Sequence, residues 1–166
     1  MDERNIVLIG MMASGKTTVG GLLAAALGRP LVDTDALIEE KEGRTIPAIF
    51  ASDGEGYFRD REREAAEDLA RKTGLVIACG GGLPLRPDAM APLKHTGLVF
   101  WLCRDPGETY DSGVLGDRPL AQDGRAAFLD RFAQREPVYR AWADHIITDL
   151  TSPEAGLNAI LEVLRA

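Results

Sequence analysis

Short apolar runs alternate with amphipathic stretches from one end of the chain to the other. Ile6-Val7-Leu8-Ile9 is continuously apolar, the pattern of a strand covered on both faces. A glycine-bearing turn follows, then a predicted helix over 17–27 that Gly28-Arg29-Pro30 stops. Leu31-Val32-Asp33 predicts a second strand, and 35–42 and 46–51 predict two helical pieces. Over 55–72 a charged helix buries Phe58, Ala65, Ala66 and Leu69, and Gly74 ends it. The runs 75–79 and 98–102 predict the third and fourth strands, the third leading into Gly80-Gly81-Gly82. Residues 111–124 are rich in Gly and Asp without a period and predict a mobile surface loop. A helix is expected over 126–143, broken or kinked at Pro137, followed by a last strand at 145–148. Ser152-Pro153-Glu154 opens the C-terminal helix, with Ser152 as N-cap and Pro153 at its first position.

Five strands separated by helices imply right-handed crossovers and a parallel sheet covered on both faces. Ligands of such sheets sit beyond the carboxyl ends of the strands, so the polar residues following each strand are the ones to examine.

Composition narrows the class. At 166 residues, 45% apolar and 27% charged, the chain suits a single folded domain spanning 1–166 rather than a disordered one. Nineteen basic against 26 acidic side chains leave a net charge of -7, which argues against an extended nucleic-acid or phospholipid surface. No apolar stretch approaches the roughly 20 residues of a membrane span. Cys79 and Cys103, the only cysteines, make neither a disulfide framework nor a zinc cluster, and a cytoplasmic location is expected. The first residues run straight into a strand-like segment, so no signal peptide is expected.

The most specific chemistry lies in Gly10-Met11-Met12-Ala13-Ser14-Gly15-Lys16-Thr17, which matches G-x-x-x-x-G-K-[ST] between a strand and a helix. Backbone N–H groups of such a loop turn inward to hold phosphate oxygens, aided by the helix dipole. Lys16 reaches the β- and γ-phosphates, and the Thr17 hydroxyl coordinates Mg²⁺. Against a chance match stand the fixed offsets and the strand–loop–helix setting. A guanine-reading N-K-x-D is absent, because neither Asn5 nor Asn158 precedes a lysine, so a GTPase is disfavoured.

Other polar residues at strand ends read as an acceptor site. Asp33 and Asp35 point the same way along an extended stretch, so one can support Mg²⁺ through water while the other accepts a substrate proton. The alternative is that Asp35 only caps the next helix. Arg59 follows the core anchor Phe58 and can be oriented by Glu62, whereas Arg61, Arg63 and Arg71 are expected to be solvated. Three consecutive glycines suit a ligand lying against bare backbone, or else a flexible turn.

Taken in order, the phosphate loop, Asp33-Thr34-Asp35, Gly54-Glu55 with Phe58-Arg59 and Glu62, the triple glycine, Arg118-Pro119-Leu120, and Arg135 with Pro137 and Tyr139 resemble the shikimate kinase family over nearly the whole chain. The resemblance implies a three-layer, nucleoside-monophosphate-kinase-like α/β fold with five parallel strands, a shikimate-binding segment at about 33–62 and a lid at about 111–124. It implies transfer of the ATP γ-phosphoryl group to the 3-hydroxyl of shikimate, with ATP and Mg²⁺ as cofactors and a monomer as the working unit. By position Asp35 is the base, with Lys16 and Arg118 catalytic beside it. Ala13, Ser14, Gly15, Lys16, Thr17, Thr18, Arg118 and Pro153 hold the nucleotide. Asp35, Arg59, Gly80, Gly81, Gly82 and Arg135 hold shikimate, while Thr17 and Asp33 serve Mg²⁺.

Two departures stand out. Ala13 occupies a position where relatives often have glycine, which is tolerable only if its φ is negative. The lid segment 111–117 has no arginine to pack on adenine. The competing enzyme reading is another small-molecule kinase, acting on gluconate or a nucleoside monophosphate. The competing reading of another class is a non-catalytic ATP-binding regulator. His95, His145, Cys79, Trp101 and Trp142 are expected to be structural.

Overall fold

A computed structural model describes residues 2–113, 115 and 123–166. Its elements, in order, are β1 (Asn5–Ile9), α1 (Lys16–Leu27), β2 (Leu31–Asp33), α2 (Thr34–Glu42), α3 (Ile46–Ala70), β3 (Val76–Ala78), a 3₁₀ turn (Leu83–Leu85), α4 (Pro87–Thr96), β4 (Gly97–Leu102), α5 (Pro106–Asp111), α6 (Arg125–Trp142), β5 (His145–Ile147) and α7 (Pro153–Arg165). The strands form one parallel sheet in the order β2-β3-β1-β4-β5. Sequence neighbours β1 and β2 are thus separated by β3, and their carboxyl ends flank a crevice.

Side-chain alternation along β1 divides the core in two. Val7 and Ile9, with Ile77, Val99 and Trp101, pack against Ala66 and Leu69 of α3, Met90 and Leu93 of α4, and Phe128 and Tyr139 of α6. Ile6 and Leu8, with Val76, Phe100 and Leu102, pack the opposite way onto Val19 and Leu23 of α1 and Ile160 of α7. Each of these fully buried large side chains contributes about 1.5–3 kcal/mol. A third cluster, Ile38, Ile49, Phe58 and Ala65, joins α2 to α3 and carries the segment between residues 33 and 62.

The two helices expected at 46–51 and 55–72 run end to end as α3, meeting at Gly54, whose φ of 85° and ψ of 174° are not helical. That conformation favours glycine, and beyond it Ala66 and Leu69 of α3 pack against the sheet. α6 passes through Pro137 as one helix rather than breaking there. α4, α5 and the 3₁₀ turn were not anticipated. Prolines at 84, 87 and 92 mask the helical period of α4, although Pro87 stands at its first position, where a missing N–H costs nothing. The expected loop at 111–124 falls largely outside the described residues, and Arg118 with it. Leu115, which is described, is 3% exposed and joins the core, so the segment is not wholly a surface one. No described helix is long and apolar enough to cross a membrane.

Candidate active site

β1 delivers the chain into the phosphate loop with no space to spare. A Cβ on Gly10 would lie 2.7 Å from the Leu102 carbonyl oxygen, so the loop leaves the sheet pressed against the end of β4. α1 begins at Gly15 with no side-chain cap and no acidic residue in its first turn, which leaves its N–H groups and dipole free for an anion. The Ser14 hydroxyl is buried without a partner. Lys16 Nζ donates to the carbonyls of Gly10 and Met11, both at 2.7 Å. Burial lowers its pKa from 10.5 to about 8, so the ammonium persists at neutral pH yet is incompletely satisfied.

Ala13 contradicts the expectation of a negative φ: it sits at +60°. The loop takes a left-handed turn there, and the alanine bears the resulting strain.

Asp33 links the loop to the acceptor segment. Its Oδ1 caps α2 by accepting from the Ala36 N–H at 3.0 Å, and its Oδ2 accepts from the Thr17 hydroxyl at 2.9 Å. The capping role considered for Asp35 therefore belongs to Asp33. A hydroxyl and a carboxylate side by side are hard oxygen donors, and the pair fits Mg²⁺ completed by waters and phosphate oxygens.

Asp35 stands in the first turn of α2, past the extended stretch, but faces the same cavity as Asp33. Burial, with repulsion from Asp33 second, raises its pKa to about 6, and attraction to Lys16 only partly offsets this.

The triple glycine is the floor on which three charged side chains meet. A Cβ on Gly80 would lie 2.5 Å from Asp35 Oδ1, one on Gly81 3.3 Å from Arg135 Nη1, and one on Gly82 3.0 Å from Arg59 Nη1. Three successive positions thus bring bare backbone close against three different side-chain ends, which favours a ligand floor over a merely flexible turn. The floor is pinned from below and behind. Gly80 N–H donates to Thr34 Oγ1 at 2.9 Å, Tyr139 Oη donates to the Gly81 carbonyl at 2.8 Å, and Trp142 Nε1 donates to the Pro84 carbonyl at 2.9 Å.

Each arginine is held in place. Arg59 Nη1 donates to Glu62 Oε1 at 2.8 Å, and Glu62 is only 1% exposed, its carboxyl pushed up by burial. Arg135 Nη1 lies 4.0 Å from Met11 Sδ, which ties α6 to the phosphate loop. Arg71, as expected, is solvated, whereas Arg61 and Arg63 are half-buried and paired with Glu64 and Glu67.

A cavity of about 650 Å³ runs from Asp35 and Gly80-Gly81 along residues 12–19 to the turn at 150–153, with Arg104 on its wall. Lys16, Thr17, Thr18 and Pro153 all line it, whereas Arg59, Gly82 and Arg135 stand just beyond its glycine floor. Sequence reasoning missed Arg104, although it lies two residues past β4, where strand-end polar residues are to be sought. It also passed over Thr34, hidden between two aspartates. Cys79 is buried and its thiol pushed far up, so it behaves as a small core residue. His145 stacks on Phe100 at 5.3 Å.

An uncapped phosphate loop, a hydroxyl–carboxylate pair and a carboxylate facing a small cationic pocket define a P-loop kinase of small anionic acceptors. The comparisons with known proteins narrow that class. The family model described as shikimate kinase matches residues 12–165, and the chain belongs to the shikimate kinase family. It is 43% identical over 166 residues to the shikimate kinase of Nitrosomonas europaea, covering 97% of this chain and 78% of that one. With the shikimate kinase of Symbiobacterium thermophilum it shares 45% identity over 170 residues, covering 97% and 96%. Among solved structures it is similar to the Acinetobacter baumannii shikimate kinase in complex with shikimate, at a TM-score of 0.88 and 35% identity over 98% of this chain and 92% of that one.

Proposed function

We propose a division of labour among the residues of this chain for its reaction, the transfer of the ATP γ-phosphoryl group to the 3-hydroxyl of shikimate. The observation that carries it is the meeting of Asp35, Arg135 and Arg59 over Gly80, Gly81 and Gly82. Arg59 and Arg135 bind the shikimate carboxylate, for which planar guanidinium groups offer paired N–H donors and a permanent charge. Asp35 accepts the proton of the 3-hydroxyl as its oxygen bonds to the γ-phosphorus and the bond from that phosphorus to the β-phosphate oxygen breaks. A carboxylate near pKa 6 suits this task, being ionised at neutral pH yet basic enough to take a proton.

Lys16 exchanges its two carbonyl partners for β- and γ-phosphate oxygens, and the N–H groups of 13–18 hold the rest of the phosphate chain. Thr17 and Asp33, side by side, would hold Mg²⁺, the hydroxyl as a ligand and the carboxylate in support of it. When bound, Mg²⁺ neutralises charge developing on the transferring group and the leaving phosphate. Arg118, outside the described residues, is assigned to the transferring phosphate, and Pro153 to the nucleotide. A monomer is taken as the working unit, since Asp35, Arg59 and Arg135 converge on three successive glycines within one chain. The cytoplasm as its location agrees with two unpaired thiols.

The test is ADP release with shikimate, gluconate and AMP as acceptors. Stimulation by shikimate alone is expected. Equal stimulation by gluconate, which carries no cyclohexene ring, or by AMP overturns the acceptor assignment.

A further inference from the structure

Thr34, between the two aspartates of the site, is 0% exposed and has no assigned role, and the ladder between β2 and β3 locates its hydroxyl. The Val76 N–H of β3 donates to the Pro30 carbonyl at 3.0 Å. Bonds of a parallel ladder recur at alternate residues of both strands. Continued in this register, the ladder would join the Gly80 N–H to the carbonyl of residue 34. α2 begins at Thr34, however, and that carbonyl turns into the helix. Thr34 Oγ1 takes its place and accepts from the buried Gly80 N–H at 2.9 Å. The side chain thus supplies the rung that the backbone gives up.

That rung lies next to Asp35. Asp33, on its other side, is held by its bonds to Thr17 and Ala36. No hydrogen bond or ion pair with a described residue holds the Asp35 carboxylate. Its two oxygens rest on Gly80 instead, where a Cβ would lie 2.5 Å from one and 2.9 Å from the other. The glycine side is fixed on its own: the Gly80 carbonyl accepts from the Leu83 N–H at 3.1 Å, and the Cys79 N–H donates to the Leu8 carbonyl at 3.0 Å. Loss of the hydroxyl therefore loosens the start of α2 rather than the floor.

We infer that Thr34 is a positioning residue whose hydroxyl sets the height of Asp35 above the glycine floor, and through it the rate of phosphoryl transfer, a role that rests on the base assigned to Asp35 above. Thr34 does not line the cavity, so affinity for either substrate is left to other groups.

The experiment measures the single-turnover transfer rate with enzyme in excess, and Kd for ADP and for shikimate, in Thr34→Val, Thr34→Ser and Thr34→Ala, alone and combined with Asp35→Asn. Thr34→Val keeps the shape and loses the hydroxyl, and its rate is expected to fall by about 10- to 100-fold, the scale of a small misplacement of a reacting group. Kd for ADP stays unchanged, and Kd for shikimate changes far less than the rate. Thr34→Ser, which keeps the oxygen, retains most of the rate. Thr34→Ala leaves room for a water on the Gly80 N–H. Such a water satisfies the donor but ties nothing to α2, so the rate falls as with valine, and this variant carries the test where the valine chain does not fold. On the Asp35→Asn chain, removing the hydroxyl costs nothing further, because the base it positions is already gone. A hydroxyl-free chain at full rate overturns the proposal. So does the same rate loss on the Asp35→Asn chain, or ADP binding weakened as much as the rate, since either marks Thr34 as a general support of the fold. Asp35→Asn at full rate strikes the base role and this inference with it, whereas a slow Asp35→Asn beside a fast Thr34→Val strikes the inference alone.

Discussion

Replacing Asp35 by asparagine separates catalytic advantage from folding cost in one residue. In the free protein its pKa stands at about 6 rather than 3.8, mainly because burial disfavours the carboxylate. A shift of about two units corresponds to about 3 kcal/mol. The sign follows from proton counting. Between pH 3.8 and 6 the folded chain binds more protons at this site than the unfolded one, so stability from this group falls as pH rises through that window. Below pH 3.8 both states are protonated and no penalty exists. Above pH 6 the penalty is complete.

Asparagine has the same shape and no charge. Urea unfolding of the ligand-free chain and of Asp35→Asn at pH 4, 5, 6 and 7.5 is expected to show a stability gap that shifts by about 2–3 kcal/mol in favour of the variant as pH rises, with most of the change between pH 4 and 6. In the same preparations the transfer rate falls by about 10²–10⁴, the usual contribution of a positioned base, while ADP affinity stays within about twofold. A gap that does not change with pH refutes the burial argument. A variant with its full rate removes Asp35 from the base role, whatever its stability.

Three further outcomes are expected. Gly82→Ala keeps an ordinary backbone (φ −89°, ψ −9°) but places a methyl 3.0 Å from Arg59 Nη1, so KM for shikimate should rise about tenfold in steady-state assays with little change in Tm or in KM for ATP; an unchanged KM separates Arg59 from the acceptor. Ala13→Gly relieves a left-handed alanine worth about 1–2 kcal/mol, against about 0.5–1 kcal/mol of added chain freedom, so denaturant unfolding should show no loss of stability, and a loss above about 1 kcal/mol contradicts the strain. Arg59→Ala strands the buried Glu62 and should cost about 3 kcal/mol, of which Glu62→Gln in the same chain recovers at least half; no recovery means that the loss is not electrostatic.

How much was readable beforehand depended on the distance over which each signal acts. The strand runs, the phosphate loop and the pair Arg59–Glu62 are local patterns, and each was legible because residues within four positions define it. The convergence of Arg135 with Arg59 was expected only through resemblance, since no spacing connects residue 135 to residue 59. The structure supplies the physical link in the glycines between them, where two absent Cβ atoms make room for two guanidinium groups. The conformation of Ala13 went the other way. Alanine read as a residue that avoids positive φ, but the loop closing against Leu102 outweighs a local preference of about 1–2 kcal/mol. α4 was hidden for a comparable reason: its prolines are unfavourable as local choices, while Ala89, Met90 and Leu93 gain far more from complete burial.

The displaced pKa values of Lys16 and Asp35 have one origin, and it explains how a chain of net charge -7 can receive two anions. Both groups are buried in one cleft, where burial shifts each of them and each is the other's partial counter-charge: attraction to Asp35 raises the Lys16 pKa, attraction to Lys16 lowers that of Asp35, and in both cases burial outweighs the attraction. The free site is therefore under-compensated at both ends. On the roles proposed above, phosphate oxygens at Lys16 and a substrate hydroxyl at Asp35 compensate these two buried charges better than the free site does, so part of the stability lost on folding returns on binding. Guanidinium groups held by Glu62 and beside Met11 keep the positive potential local, over three glycines, instead of spreading it over a surface where any polyanion would compete.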